Sequence, residues 1–226
     1  KVLSLLKLNM IMKSEYGRIL VLGQSGQGKT FLSTTANKET TGFINVSRKP
    51  LSYRGNFKFH GKPKTWASFM KNFRDYVENP DIENIIIDDV TMAFDMLLQE
   101  AQKNFKGYDI YTHFNKNVPD FLDLIRDAKK NVIVTGHDET LLIEGFKQKR
   151  AKIHGKQFEG LVERYFTIVL YTGTKVVNNN PVYFLKTFEV DTSAKAPHEM
   201  FSEIEIPNDA QFIFDTVKSY YEDTSN

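Results

Sequence analysis

The sequence predicts an α/β protein with a central, mainly parallel sheet and an antiparallel, β-rich C-terminal extension. Three observations predict it. A Gly-rich turn at residues 23–30 sits between an apolar run and a helix-compatible stretch. Apolar strands of the buried, parallel kind recur after it. The last third then changes from strand–helix alternation to hairpin-like strands.

Taken in order, residues 5–12 alternate loosely and suit an outer strand or an arm that packs on a neighbouring subunit, so residues 1–14 are set apart from a single domain over 15–226. Residues 17–22 give the first core strand and 29–36 the helix after the Gly-rich turn. Gly42 to Val46 reads as a second strand. Trp66 to Val77 reads as a helix with Phe69, Phe73 and Val77 on one face. Asn84 to Asp88 is a buried strand, followed by a helix from Met92 to Lys103, a polar aromatic loop over 105–118, and a helix from Pro119 to Lys129. Asn131 to His137 is another buried strand. Thr140–Phe146, Phe166–Tyr171 and Val182–Val190 are the late strands, and Asp209–Tyr221 is a closing helix.

At 226 residues, 41% hydrophobic and 26% charged, the chain can bury a substantial core and does not read as disordered. It has no cysteine, which excludes disulfides and thiolate metal sites. The opening Lys1-Val2-Leu3-Ser4-Leu5-Leu6 lacks the small-residue cleavage site of a secretory leader, and no apolar run approaches the ~20 residues that cross a bilayer. A cytoplasmic protein without a membrane partner is the expectation. The start is expected to be trimmed or to carry extra residues, since Lys1 stands first and Met10 and Met12 lie nearby.

Residues 23–30 read Gly-Gln-Ser-Gly-Gln-Gly-Lys-Thr, a complete G-x-x-x-x-G-K-[ST] phosphate loop. Gly23, Gly26 and Gly28 allow positive φ and close approach, so the amides of Gln24, Ser25, Gln27 and their neighbours, on to Phe31, can surround a triphosphate. Lys29 would reach the β- and γ-phosphates of ATP, and the Thr30 hydroxyl would complete a Mg²⁺ shell. Ile85-Ile86-Ile87-Asp88-Asp89 then supplies a strand ending in acid. Asp88 is the candidate metal ligand and Asp89 the candidate for activating water, against the alternative that both acids cap the next helix. His137 ends a strand at the same sheet edge and is a candidate γ-phosphate sensor, or else an ordinary loop histidine. Lys195, before Ala196-Pro197, could act on the nucleotide of an adjacent subunit as a cationic finger.

The basic residues cluster. Between Thr40 and Arg74 stand Arg48, Lys49, Arg54, Lys58, Lys62, Lys64, Lys71 and Arg74 without one acid, interleaved with Phe57, Phe59, His60 and Trp66. A second acid-free run holds Lys147, Lys149, Arg150, Lys152 and Lys156. Basic groups neutralise phosphates while aromatic faces stack bases, so single-stranded DNA is the expected partner, although a solvated basic face would look the same.

The order of these pieces resembles the RecA-like ATPases. It most resembles the compact phage-encoded branch, the Sak-type annealing and recombination proteins, on the phosphate loop, Ile85–Asp88, Val134-Thr135-Gly136-His137, Arg48-Lys49-Pro50-Leu51 and the late Lys–Ala–Pro segment. The resemblance spans roughly residues 15–220. It implies a RecA-like core, ATP·Mg²⁺ binding at Gly23–Thr30 and Asp88, sensing at His137, and a trans role for Lys195. It further implies rings or filaments, residence in the host cytoplasm, a single-strand-binding protein as an accessory partner, and DNA-contacting loops at about 104–118 and 138–156. One departure matters. Asn45-Val46-Ser47-Arg48-Lys49 lacks the glutamate that such enzymes place after an early strand, so Asp89 substitutes or hydrolysis is slow. The leading function is a DNA-stimulated ATPase of phage recombination or replication. A nucleotide-gated assembly factor, a helicase or packaging motor, and a nucleoside kinase stay open.

Overall fold

The computed structural model describes residues 15–223. The expected arm over 1–14 lies outside the described residues. An eight-stranded sheet runs in the order β10-β9-β8-β1-β5-β4-β2-β3. Its strands are β1 (Arg18–Leu22), β2 (Thr41–Asn45), β3 (Phe59–Gly61), β4 (Asn84–Asp88), β5 (Asn131–Gly136), β8 (Ile168–Val177), β9 (Asn180–Lys186) and β10 (Glu205–Pro207). All neighbouring pairs from β8 to β3 are parallel, whereas β9 and β10 add antiparallel strands at the far edge. The predicted fold class holds.

Both faces of the sheet are covered, which is why its central strands read as apolar runs rather than alternations. Leu20, Leu22, Ile85, Ile87, Val132 and Val134 point to one core. There they meet α1 (Trp66–Glu78), α2 (Val90–Asn104) and α3 (Tyr108–Asp127). Ile19, Val21, Ile86 and Ile133 point to the other, beneath α4 (Ala210–Asp223) and Leu32. Thr65 starts α1 with a capping box: its hydroxyl accepts from Ser68 N, and the Ser68 hydroxyl accepts from Thr65 N. The Arg18 guanidinium, at the opposite sheet edge from the phosphate loop, donates to the carbonyls of Arg126, Ala128 and Lys130 and so satisfies the end of α3.

Two expectations are corrected here. Of the loop expected over 105–118, residues 108–118 form the first half of α3, with Pro119 inside the helix. Phe114, Val118, Phe121, Leu122 and Ile125 are all buried on one face, so tertiary burial carries the helix through the proline. The helix expected over 29–36 is only a 3₁₀ turn, Phe31–Thr34. The hydroxyls of Ser33, Thr34 and Thr35 each donate to the carbonyl three residues back, and Lys38 Nζ donates to the carbonyls of Ser33, Thr34 and Ala36. Those bonds satisfy the backbone without a full α-helical ladder.

A separate hairpin, β6 (Asp138–Ile143) and β7 (Phe146–Ala151), leaves the sheet directly after His137. Lys147, Lys149 and Arg150 of the second basic run therefore lie on a paired ribbon, whereas Lys152 follows it and Lys156 starts a 3₁₀ turn.

Candidate nucleotide site

The phosphate loop leaves β1 beside β5, and Gly23 N donates to Gly136 O at 3.2 Å, prolonging that ladder. Gly26 and Gly28 take φ of +81° and +86°. A Cβ on Gly28 would lie 2.7 Å from both Asn208 Nδ2 and the Tyr183 ring, so only glycine fits. Gly23 does not share the positive φ expected of it. Its need is room, because a Cβ there would sit 1.7 Å from the Thr172 hydroxyl. A four-residue 3₁₀ turn has little macrodipole to offer. Anion affinity must come from the loop amides and the Lys29 charge.

Lys29 is buried, and its ammonium donates to the carbonyls of Gly23 at 2.7 Å and Gln24 at 3.0 Å. Burial lowers its pKa, while the charges of Asp89, Asp88 and Asp138 oppose the shift. Thr30 Oγ1 donates to Asp88 Oδ2 at 2.8 Å, and Thr135 Oγ1 donates to Asp88 Oδ1 at 2.7 Å. A hydroxyl and a carboxylate held side by side are hard oxygen donors of the kind Mg²⁺ takes. That ion usually needs only one or two protein ligands besides phosphate and water. The donor set fits the ion.

Asp89 divides its oxygens between the two roles weighed from sequence. Oδ1 accepts from Thr91 N at 2.7 Å and caps α2, while Oδ2 lies 3.2 Å from His137 Nε2. Asp88 caps nothing in α2. Burial raises the Asp89 pKa, the neighbouring Asp88 charge adds to this, and His137 and Lys29 oppose it. The His137 backbone N–H donates to the Thr91 hydroxyl at 2.9 Å, which locks the sensor candidate to the same helix end.

One cleft collects Ser25, Gly26, Gly28, Lys29, Thr30 and Phe31 with Asp88, Asp89 and His137. Ser47, Lys49, Ser52, Met92 and Tyr183 line it too, and sequence reasoning missed most of these. Tyr183 comes from β9 and packs its ring 5.5 Å from that of Phe31. Nothing local to residue 183 announces this. Thr135 was legible as a polar residue ending an apolar strand. Gln24 and Gln27 face the other way. Gln24 Nε2 donates to Asp138 O at 3.0 Å and Asp138 Oδ1 at 2.6 Å, and Gln27 Oε1 accepts from the Thr172 hydroxyl at 3.1 Å.

Lys195 is not brought to this cleft. Its backbone exchanges bonds with Val169 in β8. Lys147 and Lys152 are exposed on or beside the hairpin, whereas Lys149 pairs with Glu189 at 3.4 Å and Arg150 is half-buried beside Gln148. In the first basic run, Phe57 and Trp66 are core residues and cannot stack bases, because Phe57 stacks on Phe43 at 4.7 Å and Trp66 meets Phe69 and Phe121. The expected DNA-contacting loop at 104–118 is replaced by α3.

The family described as AAA domain matches residues 15–197, most of the chain. This chain belongs to that AAA domain family. No curated protein matches it. A KaiC-like protein from the hyperthermophilic archaeon Pyrococcus horikoshii OT3 is similar at 13% identity and a TM-score of 0.46, over 75% of this chain and 78% of that one. Membership of the AAA domain family is a family-level ground for nucleotide binding. Among the described residues, no helix is long and apolar enough to cross a membrane.

Proposed function

We propose that this chain is a Mg²⁺-dependent ATPase whose nucleotide state sets the grip of its basic hairpin on single-stranded DNA, in annealing or strand exchange. The observation that carries this reading is the pair of hydrogen bonds that the Gln24 amide donates to Asp138, one to its carbonyl and one to its carboxylate. A phosphate drawing the loop amides inward would shift Gln24, and Asp138 is the first residue of the hairpin. The hairpin tip presents Leu142, 73% exposed, and Phe146, 68% exposed, next to Lys147. An apolar tip with flanking cations suits unpaired bases and their phosphates.

In hydrolysis, the oxygen of water bonds to the γ-phosphorus, the bond to the ADP oxygen breaks, and the water proton passes to Asp89, leaving ADP and phosphate. Magnesium would be held by Thr30 and Asp88 and would neutralise phosphate charge. Lys29 supports the β- and γ-oxygens, and His137 orients Asp89 and registers the terminal phosphate. Phe31 and Tyr183 offer a wall to the base. Lys195, remote from its own chain's cleft, would act only across a subunit boundary in a ring or filament. A phage source and a single-strand-binding partner complete the reading by resemblance. The absence of an acid in the turn at 45–49 favours one second reading, an assembly factor with slow turnover.

ATP turnover measured with and without an oligonucleotide tests the reading. Wild type should be stimulated, and Lys147→Glu with Lys152→Glu should abolish the stimulation and flatten the salt dependence of binding by about two phosphate contacts. Gln24→Ala should lower the ratio of stimulated to basal rate. An unstimulated wild type contradicts the DNA coupling.

Asp89 must be ionised to accept a proton. Its raised pKa moves the acid limb of the pH–rate profile above the ~4 of an ordinary aspartate. Turnover should fall as pH drops through that point, and Asp89→Asn should be slow without that limb. For stability the sign is opposite: the fold favours protonated Asp89, so this contribution is present in acid and lost as pH rises through the folded pKa. A wild-type profile flat down to pH ~4 would remove Asp89 from the base role.

A further inference from the structure

The turn after β2 brings Lys49 to the lining of the cleft by a construction of its own. β2 ends at Asn45, whose Cα is paired with that of Asp88 and whose side chain is 2% exposed. Asn45 Nδ2 donates to Lys49 O at 2.8 Å, and its Oδ1 accepts from the Ser47 hydroxyl at 2.9 Å. Ser47 Oγ accepts in turn from Lys49 N at 3.3 Å, so Asn45, Ser47 and Lys49 form a closed ring of bonds. Val46 N donates to Asp88 O at 2.6 Å and fastens the turn to the strand that carries the acids.

Arg48 pays the conformational cost of this turn, with φ of +57°. The result is that adjacent cations part company. Arg48 lines a different pocket of about 390 Å³ with Tyr53 and His60, whereas Lys49 lines the cleft with Lys29, Thr30, Asp88, Asp89 and His137. Among the described residues Lys49 makes no ion pair, and it bonds through its backbone N–H and carbonyl.

We propose that Lys49 is a catalytic residue of this site, its ammonium neutralising the γ-phosphoryl oxygens as the bond to ADP breaks, with Asn45 as the positioning residue. This rests on the ATPase reading above. Charge spreads over the equatorial oxygens in that transition state, so a cation there is worth more to the transition state than to bound ATP. The proton balance stays with water and Asp89. The turn thus supplies a cation in cis where the resembled enzymes supply an acid.

The test compares Lys49→Ala, Asn45→Ala, the double variant and Arg48→Ala for turnover, ADP affinity, and affinity for ADP with aluminium fluoride, which mimics the transferring phosphoryl group. Lys49→Ala should lower kcat about 100-fold and weaken the fluoride complex by a similar factor, with ADP affinity within about threefold. Asn45→Ala should lower kcat, and adding Asn45→Ala to Lys49→Ala should cost nothing further, which a merely structural asparagine would not produce. Arg48→Ala should match wild type. Normal kcat in Lys49→Ala, or an equal loss of ADP and fluoride complex, overturns the assignment. If wild type hydrolyses ATP while Lys49→Ala does so equally well, only this inference falls. A wild type that neither binds nor hydrolyses nucleotide removes the ATPase reading with it.

Discussion

Lys29→Ala should lower magnesium–ATP affinity by about 100-fold or more, roughly 2.8 kcal/mol at 1.4 kcal/mol per decade. Two losses combine. The ammonium is the phosphate loop's own cation at the cleft, and the short 3₁₀ turn that follows adds little macrodipole to it. It also holds the carbonyls of Gly23 and Gln24, so its removal loosens the loop that presents the amides. Calorimetry reads the affinity directly. Thermal unfolding gives a second reading, because nucleotide at 100 times the wild-type Kd should stabilise wild type by about 2.7 kcal/mol and the variant by about 0.4 kcal/mol. Retained affinity within threefold would contradict the assignment of residues 23–30 as the phosphate loop.

Phe121→Ala should carry the largest cost to the fold, about 3–5 kcal/mol in urea unfolding. The Phe121 ring is fully buried and meets the rings of Phe69 at 5.0 Å, Phe73 at 5.6 Å, Trp66 at 5.7 Å and Phe94 at 6.2 Å. It therefore joins α1, α2 and α3 at one point. Tyr108→Ala, at the exposed start of the same helix, should change stability by no more than about 0.5 kcal/mol. A cost below 1 kcal/mol at Phe121 would mean that α3 does not dock as described.

That helix also shows where local reading stops. Residues 105–118 are polar and aromatic, and Pro119 reads as a helix start, since a proline inside a helix costs about 3 kcal/mol. Yet Phe114, Val118, Phe121, Leu122 and Ile125 stand at helical spacing across the proline, and burying each contributes about 1.5–3 kcal/mol. The sum exceeds the penalty once α1 and α2 provide the surface to bury against. The opposite error arose at residues 29–36, where helix propensity yielded to hydroxyl and lysine bonds onto the turn carbonyls.

Residues 23–30, the strand 84–88 and the pairing of Thr30 with Asp88 were legible from sequence, because glycine conformation, apolar runs and a terminal acid are short-range requirements. The strand–helix order with late antiparallel strands was legible for the same reason. Only the tertiary structure brought Asn45 beside Asp88, Gln24 onto Asp138, and Tyr183 with Asn208 against Gly28. Those contacts depend on which strand lies next to which. Strand order is set by how whole faces bury one another, and no local pattern of residues encodes it.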